Sequence, residues 1–399
     1  MSPLPDKTPD PTKSRSPSGG LLPAASQAPI SQTGTARGLA LPAKRILVIR
    51  YRFLGDTILT GPFLKNLRYA YPDAVIDVLV GPQSGEVLQN CPYVNNLIVF
   101  DTTRFHKYDQ GKGAKRSFWS YVFDLREQKY DLVFVLKRSW SSAFLALLTG
   151  AKYRIGYANE GREILLTHSV KFDSQVHEVQ STLDVLRAAH IPIVDDRMEG
   201  WITPSEQKTI EEMVPQLLEQ NDQKRVLIHA AAAHPDKVYP LELWATIIKE
   251  LHVNKRMKPF FTGAPQDKEM YDELIRLSGV NAINLAGHLS IRQSMALYKN
   301  MDLAVCVDSG PAHLAAAVGT PTVALFGPTD PNRWRPYGDN CLAVFDESLE
   351  CRPCHYKKTC VDRPCLTQLD PQKVLHACET VLSRTRNGSS ASSTTSASS

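Results

Sequence analysis

The sequence predicts an α/β protein built of two doubly wound parallel sheets, each covered by helices on both faces, with a tail at either end outside the fold. Three observations predict it. Short β-branched runs that are apolar on both faces alternate with amphipathic segments, as strands do when they are buried in a parallel sheet beneath helices. That alternation occurs twice along the chain. At 399 residues, 43% hydrophobic and 22% charged, the chain is long enough for two cores and is neither disordered, collagenous nor disulfide-dense in composition.

Residues 1–43 are rich in Pro, Ser, Gly and Ala and lack the apolar centre of a signal peptide, so they are read as a disordered tail. The first series opens at RILVIR, followed by a helix over Ile58 to Ala70 and by VIDVLV, NNLIVF and DLVFVL. The second starts at Val226 to His229 (VLIH) and continues through PFFTG, AINLAG, LAVCV and TVALFG. Helices are expected at Leu241 to Leu251 and Lys268 to Leu277. Pro204 and Ser205 read as a helix start, which puts the domain boundary near 204: one domain over 44–203 and a second over 204–383. From Arg384 the chain reads RTRNGSSASSTTSASS, has nothing to bury, and is read as a second disordered tail. The longest apolar stretch, Ala312 to Gly327, is broken by Gly319, Thr320 and Pro321, so no membrane-spanning helix is expected.

The net charge of +5 is unevenly spread: residues 44–203 hold 21 Lys+Arg against 17 Asp+Glu, and residues 204–383 hold 19 against 22. The excess is too small for a nucleic-acid footprint and suits a first half that meets anionic ligands or a membrane surface, or is ordinary variation between domains. The segment Lys107 to Arg116, followed by Phe118 and Trp119, is the candidate for a peripheral membrane contact, with a solvated loop as the alternative.

In open parallel sheets ligands bind beyond the carboxyl ends of the strands, which directs attention to the loops there. The loop after the first strand contains Arg52, Gly55 and Asp56. Asp56 can serve as a general base toward a hydroxyl, Gly55 permits close approach of a substrate and Arg52 can hold an anionic group; alternatively Asp56 only caps the next helix. A second strand, turn and helix spans Val305 to Pro321, with Asp308, Ser309 and Gly310 at the turn and Pro311 suited to the first helical turn. The N–H groups around Ser309 to Ala312 and the positive end of the helix form a diphosphate site, or else Asp308 or Ser309 is a plain cap on a small-residue helix. Lys237, in HPDKVYP, can neutralise phosphate oxygens or be a solvated charge. Trp334 and Tyr337, in the loop after TVALFG, serve either binding or packing.

Eight cysteines are present, and Cys351, Cys354, Cys360 and Cys365 form a C-x2-C-x5-C-x4-C cluster. This is not the paired-knuckle spacing of a zinc ribbon. Free thiols of a cytosolic protein rank ahead of a structural metal at these four residues, and disulfides last.

RILVIRYRFLGDTILTGPFLKNLR, DKVYP, TGAPQDKEM, NLAG, VDSGPAHLAAAVGTPTVALFGPTDPNRWRPYG and the late LECRPCHYKKTC resemble glycosyltransferase family 9, the ADP-heptose:lipopolysaccharide heptosyltransferases, over residues 44 to 383. RYRFLGD is similar to the heptosyltransferase III-like branch. The resemblance implies a GT-B fold, two Rossmann-like domains facing a central cleft, with the acceptor on the first and a nucleotide-sugar on the second. It implies an inverting, metal-independent transfer of heptose from ADP-heptose to a lipid-linked lipopolysaccharide core at the cytoplasmic face of the inner membrane, with no nucleic acid involved. Asp56 is then the base, Lys237 stabilises the departing ADP, Ser309 and Gly310 supply backbone donors, and Asp308 contacts the sugar or orients the loop. His313 is either a structural residue or a donor ligand. The chain departs from the family pattern at His229-Ala230-Ala231-Ala232-Ala233, which lacks a glycine, and at Tyr239, where tryptophan is more frequent. Two other functions remain open at this level: a nucleotide-sugar epimerase or hydrolase on the same fold, and a non-catalytic sugar-binding or metal-stabilised protein.

Overall fold

The strands are β1 (Leu21–Leu22), β2 (Arg45–Ile49), β3 (Val75–Val80), β4 (Asn96–Val99), β5 (Leu132–Val135), β6 (Tyr153–Ala158), β7 (His168–Lys171), β8 (Lys224–His229), β9 (Met257–Phe261), β10 (Ile283–Asn284), β11 (Leu303–Val307), β12 (Thr322–Leu325) and β13 (Cys341–Val344). They come from a computed structural model that describes residues 21–22, 41–51, 53–102, 116–219, 223–356, 360 and 362–392. One sheet has the order β4-β3-β2-β5-β6-β7 and is parallel throughout. The other runs β1-β13-β12-β11-β8-β9-β10, parallel except for β1.

In each sheet the first parallel strand is central and the chain later returns to its other side. The strand order therefore reverses between β2 and β5 and again between β8 and β11, and crevices open beyond the carboxyl ends at those points. Register fixes what stands there: Ile49 lies opposite Val135, and His229 opposite Cys306. Every residue of β5 and β11 is buried, which is why these strands read as unbroken apolar runs.

One face of the first sheet, with Leu47, Ile49, Val133 and Val135, packs beneath the helices Phe118–Glu127 and Trp140–Leu148. Its other face joins a core continuous with the second sheet, in which Val48 and Phe134 share a cluster with Leu227, Phe260 and Leu314. The outer face of the second sheet is closed by Trp244 from Leu241–Val253 and by Val374 and Val381 from Pro371–Ser392. Among the described residues no helix is long and apolar enough to cross a membrane.

Helices start at Pro204, under a Thr203–Glu206 capping box, at Leu241 and at Lys268, as the sequence predicts. The segment expected as one helix over Ile58 to Ala70 is instead two, Leu54–Ile58 and Gly61–Ala70, divided at Leu59 and Thr60 with Pro62 in the second helix's first turn. Strands β6, β7 and β13 were not expected. Two elements fall within the expected tails, of which residues 1–20, 23–40 and 393–399 lie outside the described residues. Leu21–Leu22 pairs with the open edge of β13, because an edge strand offers unpaired backbone groups. The last helix continues past Arg384 to Ser392, with the Arg384 guanidinium donating to the Asp339 carbonyl at 2.9 Å.

Candidate active site

Where β2 ends, Arg50 turns inward. Its guanidinium donates to the Leu136 carbonyl at 2.7 Å, the Asp56 carbonyl at 3.2 Å and the Glu178 carboxylate at 2.7 Å, so it ties β2, β5 and the short helix Leu54–Ile58 together. That helix carries Asp56 in its first turn. The cap position is Phe53, with no side-chain bond, so Asp56 is not the cap that one sequence reading allowed. Asp56 lines a cavity of about 150 Å³ with Arg50, Tyr51, Phe53, Thr57, Lys137 and Arg138. Burial raises the Asp56 carboxyl above the usual carboxylate range; Arg50, 3.9 Å away, opposes that rise and Glu178 adds to it. A carboxylate whose proton affinity is raised in this way, at the wall of a cavity, is suited to accept a proton near neutral pH.

Glu178, fully buried, is the hub of this electrostatics. Its carboxylate meets Arg50, Arg138 at 3.1 Å and Arg333, which reaches across from the second half. The three arginines hold Glu178 below the usual carboxylate range against its burial. Beside it, His177 caps the helix Glu178–Arg187 by accepting from the Val179 N–H at 3.1 Å, while its other ring nitrogen donates to the Arg335 carbonyl at 2.8 Å. Burial lowers His177 to about 3, so the ring is neutral, as that bonding pattern requires.

The second half places a complementary set at its own switch point. Asp308 follows β11 and is buried; the Lys237 ammonium lies 2.7 Å from its carboxylate, and the Thr329 hydroxyl donates to the same oxygen. Burial pulls the Lys237 ammonium down, but Asp308 outweighs it and the net shift is upward. Tyr356 also bonds Lys237 and stacks on His234 with ring centroids 4.1 Å apart. Ser309 stands at the cap position of the helix Gly310–Ala317, yet its hydroxyl donates to the Val307 carbonyl at 3.1 Å, so no side chain caps this helix. The first N–H groups and the positive helix end are left for an anion, with Lys237 alongside.

The two sets meet. A Cβ on Gly55 would stand 3.0 Å from Cδ2 of His313, and a Cβ on Gly310 would stand 2.7 Å from Cδ2 of Leu54. Gly55 is therefore needed for the approach of the helix Gly310–Ala317. His313 is buried, and Nδ1 has no partner among the described residues. Burial lowers the ring to about 4. Tyr337 packs on His177, with centroids 4.7 Å apart, and accepts from Gln180. Arg52, and Lys107 to Lys115 of the expected membrane segment, lie outside the described residues.

The structure sets Asp56, Lys237, Asp308, Ser309 and Gly310, which the sequence singles out, at the two strand-end switch points, beside Arg50, Glu178, Lys137, Arg138 and Thr329, which it does not. Lys137 and Arg138 follow β5 directly at the switch point, so the strand-end rule alone would have found them. Nothing local marks Glu178, which lies 128 residues from Arg50 and 155 from Arg333. The eight cysteines carry no disulfide, and among the described residues no group of three or more His, Cys, Asp and Glu is placed to hold a metal.

The profile of glycosyltransferase family 9 (heptosyltransferase) matches residues 118–364. The chain belongs to glycosyltransferase family 9. As a member of that family it is a glycosyltransferase, and its paired parallel sheets are the GT-B fold. It is 29% identical to lipopolysaccharide heptosyltransferase 3 of Escherichia coli over 304 residues, 74% of this chain and 86% of that protein. It is 22% identical to the lipopolysaccharide core heptosyltransferase OpsX of Haemophilus influenzae, over 77% of this chain and 86% of that protein. Among solved structures, a family 9 glycosyltransferase from Veillonella parvula superposes with a TM-score of 0.73 at 23% identity, covering 88% of this chain and 100% of the other. The ADP-heptose lps heptosyltransferase II of Escherichia coli superposes with a TM-score of 0.66 at 23% identity, covering 86% and 99%. These two structures share the GT-B fold with the present chain.

Proposed function

We propose that this family 9 glycosyltransferase transfers a heptose from ADP-heptose to a lipid-linked lipopolysaccharide core, with inversion, from the cytoplasmic side of the inner membrane. The observation that carries the reading is the contact of Gly55 with His313 and Gly310, which brings the loop of Asp56 against the uncapped helix and the Lys237–Asp308 pair. The named relatives, heptosyltransferases of lipopolysaccharide, support the donor and the acceptor.

In this reading the acceptor enters beside Arg52, Gly55 and the cavity at Asp56. The Asp56 carboxylate takes the proton of the attacking hydroxyl as its oxygen bonds to the anomeric carbon from the face opposite the diphosphate. The bond from that carbon to the ADP oxygen breaks in the same step, with an oxocarbenium-like transition state. Negative charge grows on the departing diphosphate, where Lys237 and the N–H groups from Ser309 and Gly310 onward neutralise it. Asp308 holds Lys237 in place, and His313 packs the two loops together as a neutral ring at the donor side. Charge on the leaving group is met by the chain's own donors, so no metal is assigned a step.

Asp56→Asn tests the base. The amide keeps the shape but cannot accept the proton, so ADP release with acceptor is expected to fall by about two to four orders of magnitude while ADP binding by calorimetry is unchanged. Near wild-type turnover in that variant would remove Asp56 from the role. ADP selectivity over UDP, GDP and CMP tests the donor in the same instrument.

A further inference from the structure

The segment from Cys351 to Cys365 stands out in the sequence for its thiols, yet its contacts with the donor side of the site run through other side chains. The Arg352 guanidinium donates to the carbonyls of Gly327 at 2.6 Å, Asp346 at 3.1 Å and Thr329 at 3.4 Å, and the His355 N–H donates to the Pro328 carbonyl at 2.9 Å. The Arg363 guanidinium donates to the Pro235 carbonyl. Apart from the bond to Asp346, all of these reach the backbone of two loops, one carrying Thr329 and the other Lys237, the two partners of Asp308. Leu366, just beyond Cys365, is packed on the first of them, since a Cβ on Gly327 would stand 2.8 Å from its Cδ1.

What this bracing presents is Tyr356. His355 and Tyr356 both have left-handed backbone, φ 48° and 62°, a conformation that side chains other than glycine adopt only where the surroundings over-determine it. The turn lays the Tyr356 ring on His234, with centroids 4.1 Å apart, and brings its hydroxyl within hydrogen-bond reach of Lys237. The His234 ring is itself held, accepting from the Asp236 N–H at 3.3 Å. Lysine has donors only, so the Tyr356 oxygen accepts and its own proton is left to give. Among the described residues no acceptor takes that proton, and Tyr356 stays 36% exposed, open to a ligand rather than sealed in the core. The phenol, the remaining proton of the Lys237 ammonium and the uncapped N–H groups of Gly310–Ala317 are three kinds of donor in want of acceptors. The oxygens of a diphosphate supply them.

We propose that Tyr356 is a donor-binding residue whose hydroxyl donates to a diphosphate oxygen of the nucleotide-sugar, beside Lys237. This rests on the reading of a nucleoside-diphosphate donor given above. Charge on the diphosphate grows as the sugar departs, so the bond is stronger in the transition state than in the ground state. The stack on His234 sets the ring, and the segment from Cys351 to Cys365 is the bracket that holds it.

The test compares Tyr356→Phe, which keeps the ring and its stack, with Tyr356→Ala, both in the full chain. By calorimetry Tyr356→Phe is expected to lose about tenfold or more in ADP affinity, as for one hydrogen bond to a charged group, with inhibition by adenosine and the thermal midpoint unchanged. Its kcat/KM for acceptor-dependent ADP release falls further than its ADP affinity, and kcat carries the difference. Tyr356→Phe with wild-type ADP affinity and kcat would overturn the proposal. So would an equal loss for adenosine, which puts the ring against the base, a loss accompanied by a lowered midpoint in Tyr356→Phe, or a loss confined to Tyr356→Ala, which leaves the ring a packing surface for His234. Failure of the donor reading looks different: the wild type binds UDP or GDP in place of ADP, and the same two variants are then decided with that nucleotide and its nucleoside. A wild type that binds no nucleoside diphosphate overturns both.

Discussion

Replacing Glu178 with glutamine removes the one carboxylate that three guanidinium groups share. Arg50 stands 2.7 Å from it and Arg138 3.1 Å, and Arg333 from the other half is bonded to it as well. Glu178 has no exposed surface, so the three cations lose their shared buried counter-charge, and only Arg50 keeps a second carboxylate, Asp56, at 3.9 Å. Breaking a buried ion pair by deleting one partner costs about 3–5 kcal/mol, which for a chain of this size lowers the thermal midpoint by on the order of 5–10 °C. The second effect is at Asp56. Glu178 pushes the Asp56 carboxyl up and Arg50 pulls it down, so removing Glu178 deletes the upward push and leaves Asp56, at 3.9 Å, as the carboxylate beside Arg50. A full charge pair at that separation is worth about 4 kcal/mol at an effective dielectric constant near 20, so a fall of roughly one pH unit, about 1.4 kcal/mol, lies well within reach.

The assay is the pH dependence of kcat/KM for acceptor-dependent ADP release, beside thermal unfolding of the same preparations. In Glu178→Gln the acid limb moves to lower pH by about one unit and the plateau falls, because a less basic Asp56 takes the hydroxyl proton less readily. Glu178→Asp, which keeps the charge on a shorter arm, lies between. A Glu178→Gln protein with the wild-type midpoint and an unmoved acid limb would refute the claim that this residue couples the two halves to the base.

Three further outcomes follow from the same geometry. Lys237→Ala leaves buried Asp308 with only the Thr329 hydroxyl of its two partners, and ADP affinity by calorimetry falls by about one to two orders of magnitude; unchanged affinity would move the diphosphate elsewhere. Gly310→Ala brings a Cβ to 2.7 Å from Leu54 Cδ2 and, since a leucine end can shift, costs about 1–3 kcal/mol in urea unfolding; a neutral result would deny the close approach of the two loops. His177 and His313, lowered by burial to about 3 and about 4, stay neutral in the fold while the unfolded chain takes up protons below about 6.5. The unfolded state then binds more protons, so stability is lost as pH falls from about 6.5 toward those values, by up to about 1.4 kcal/mol per unit for each histidine; urea unfolding that is flat over this interval would refute it.

The sequence announces what is local and is silent on what is not. Strands such as LVFV and LAVCV are buried on both faces and read as continuous apolar runs, so the double α/β series was visible. YRIGYA and HSVK lie toward the sheet edge, partly exposed, and their mixed polarity hides them. The same division holds in the site. Asp56 and the Asp308-Ser309-Gly310 turn each sit within one strand, turn and helix, where strand-end position and residue type together name them. Glu178 lies in a stretch, HEVQ, that reads as an ordinary helix start; its meaning arises only when Arg50 and Arg333 fold onto it from opposite sides of the chain.

The departure at Tyr239 shows the reverse case, a local signal that invites a functional reading and has a structural cause. Its ring is fully buried against Trp244, with centroids 5.7 Å apart, and its hydroxyl donates to the Leu369 carbonyl at 2.6 Å. The side chain thus points into the core of the second half, between the helix Leu241–Val253 and the chain leading into Pro371–Ser392, while Lys237, two residues earlier, faces Asp308. A tyrosine at this position exchanges one way of filling the core for another, with a hydroxyl satisfied by backbone, and leaves the donor side of the site to Lys237 and the uncapped helix.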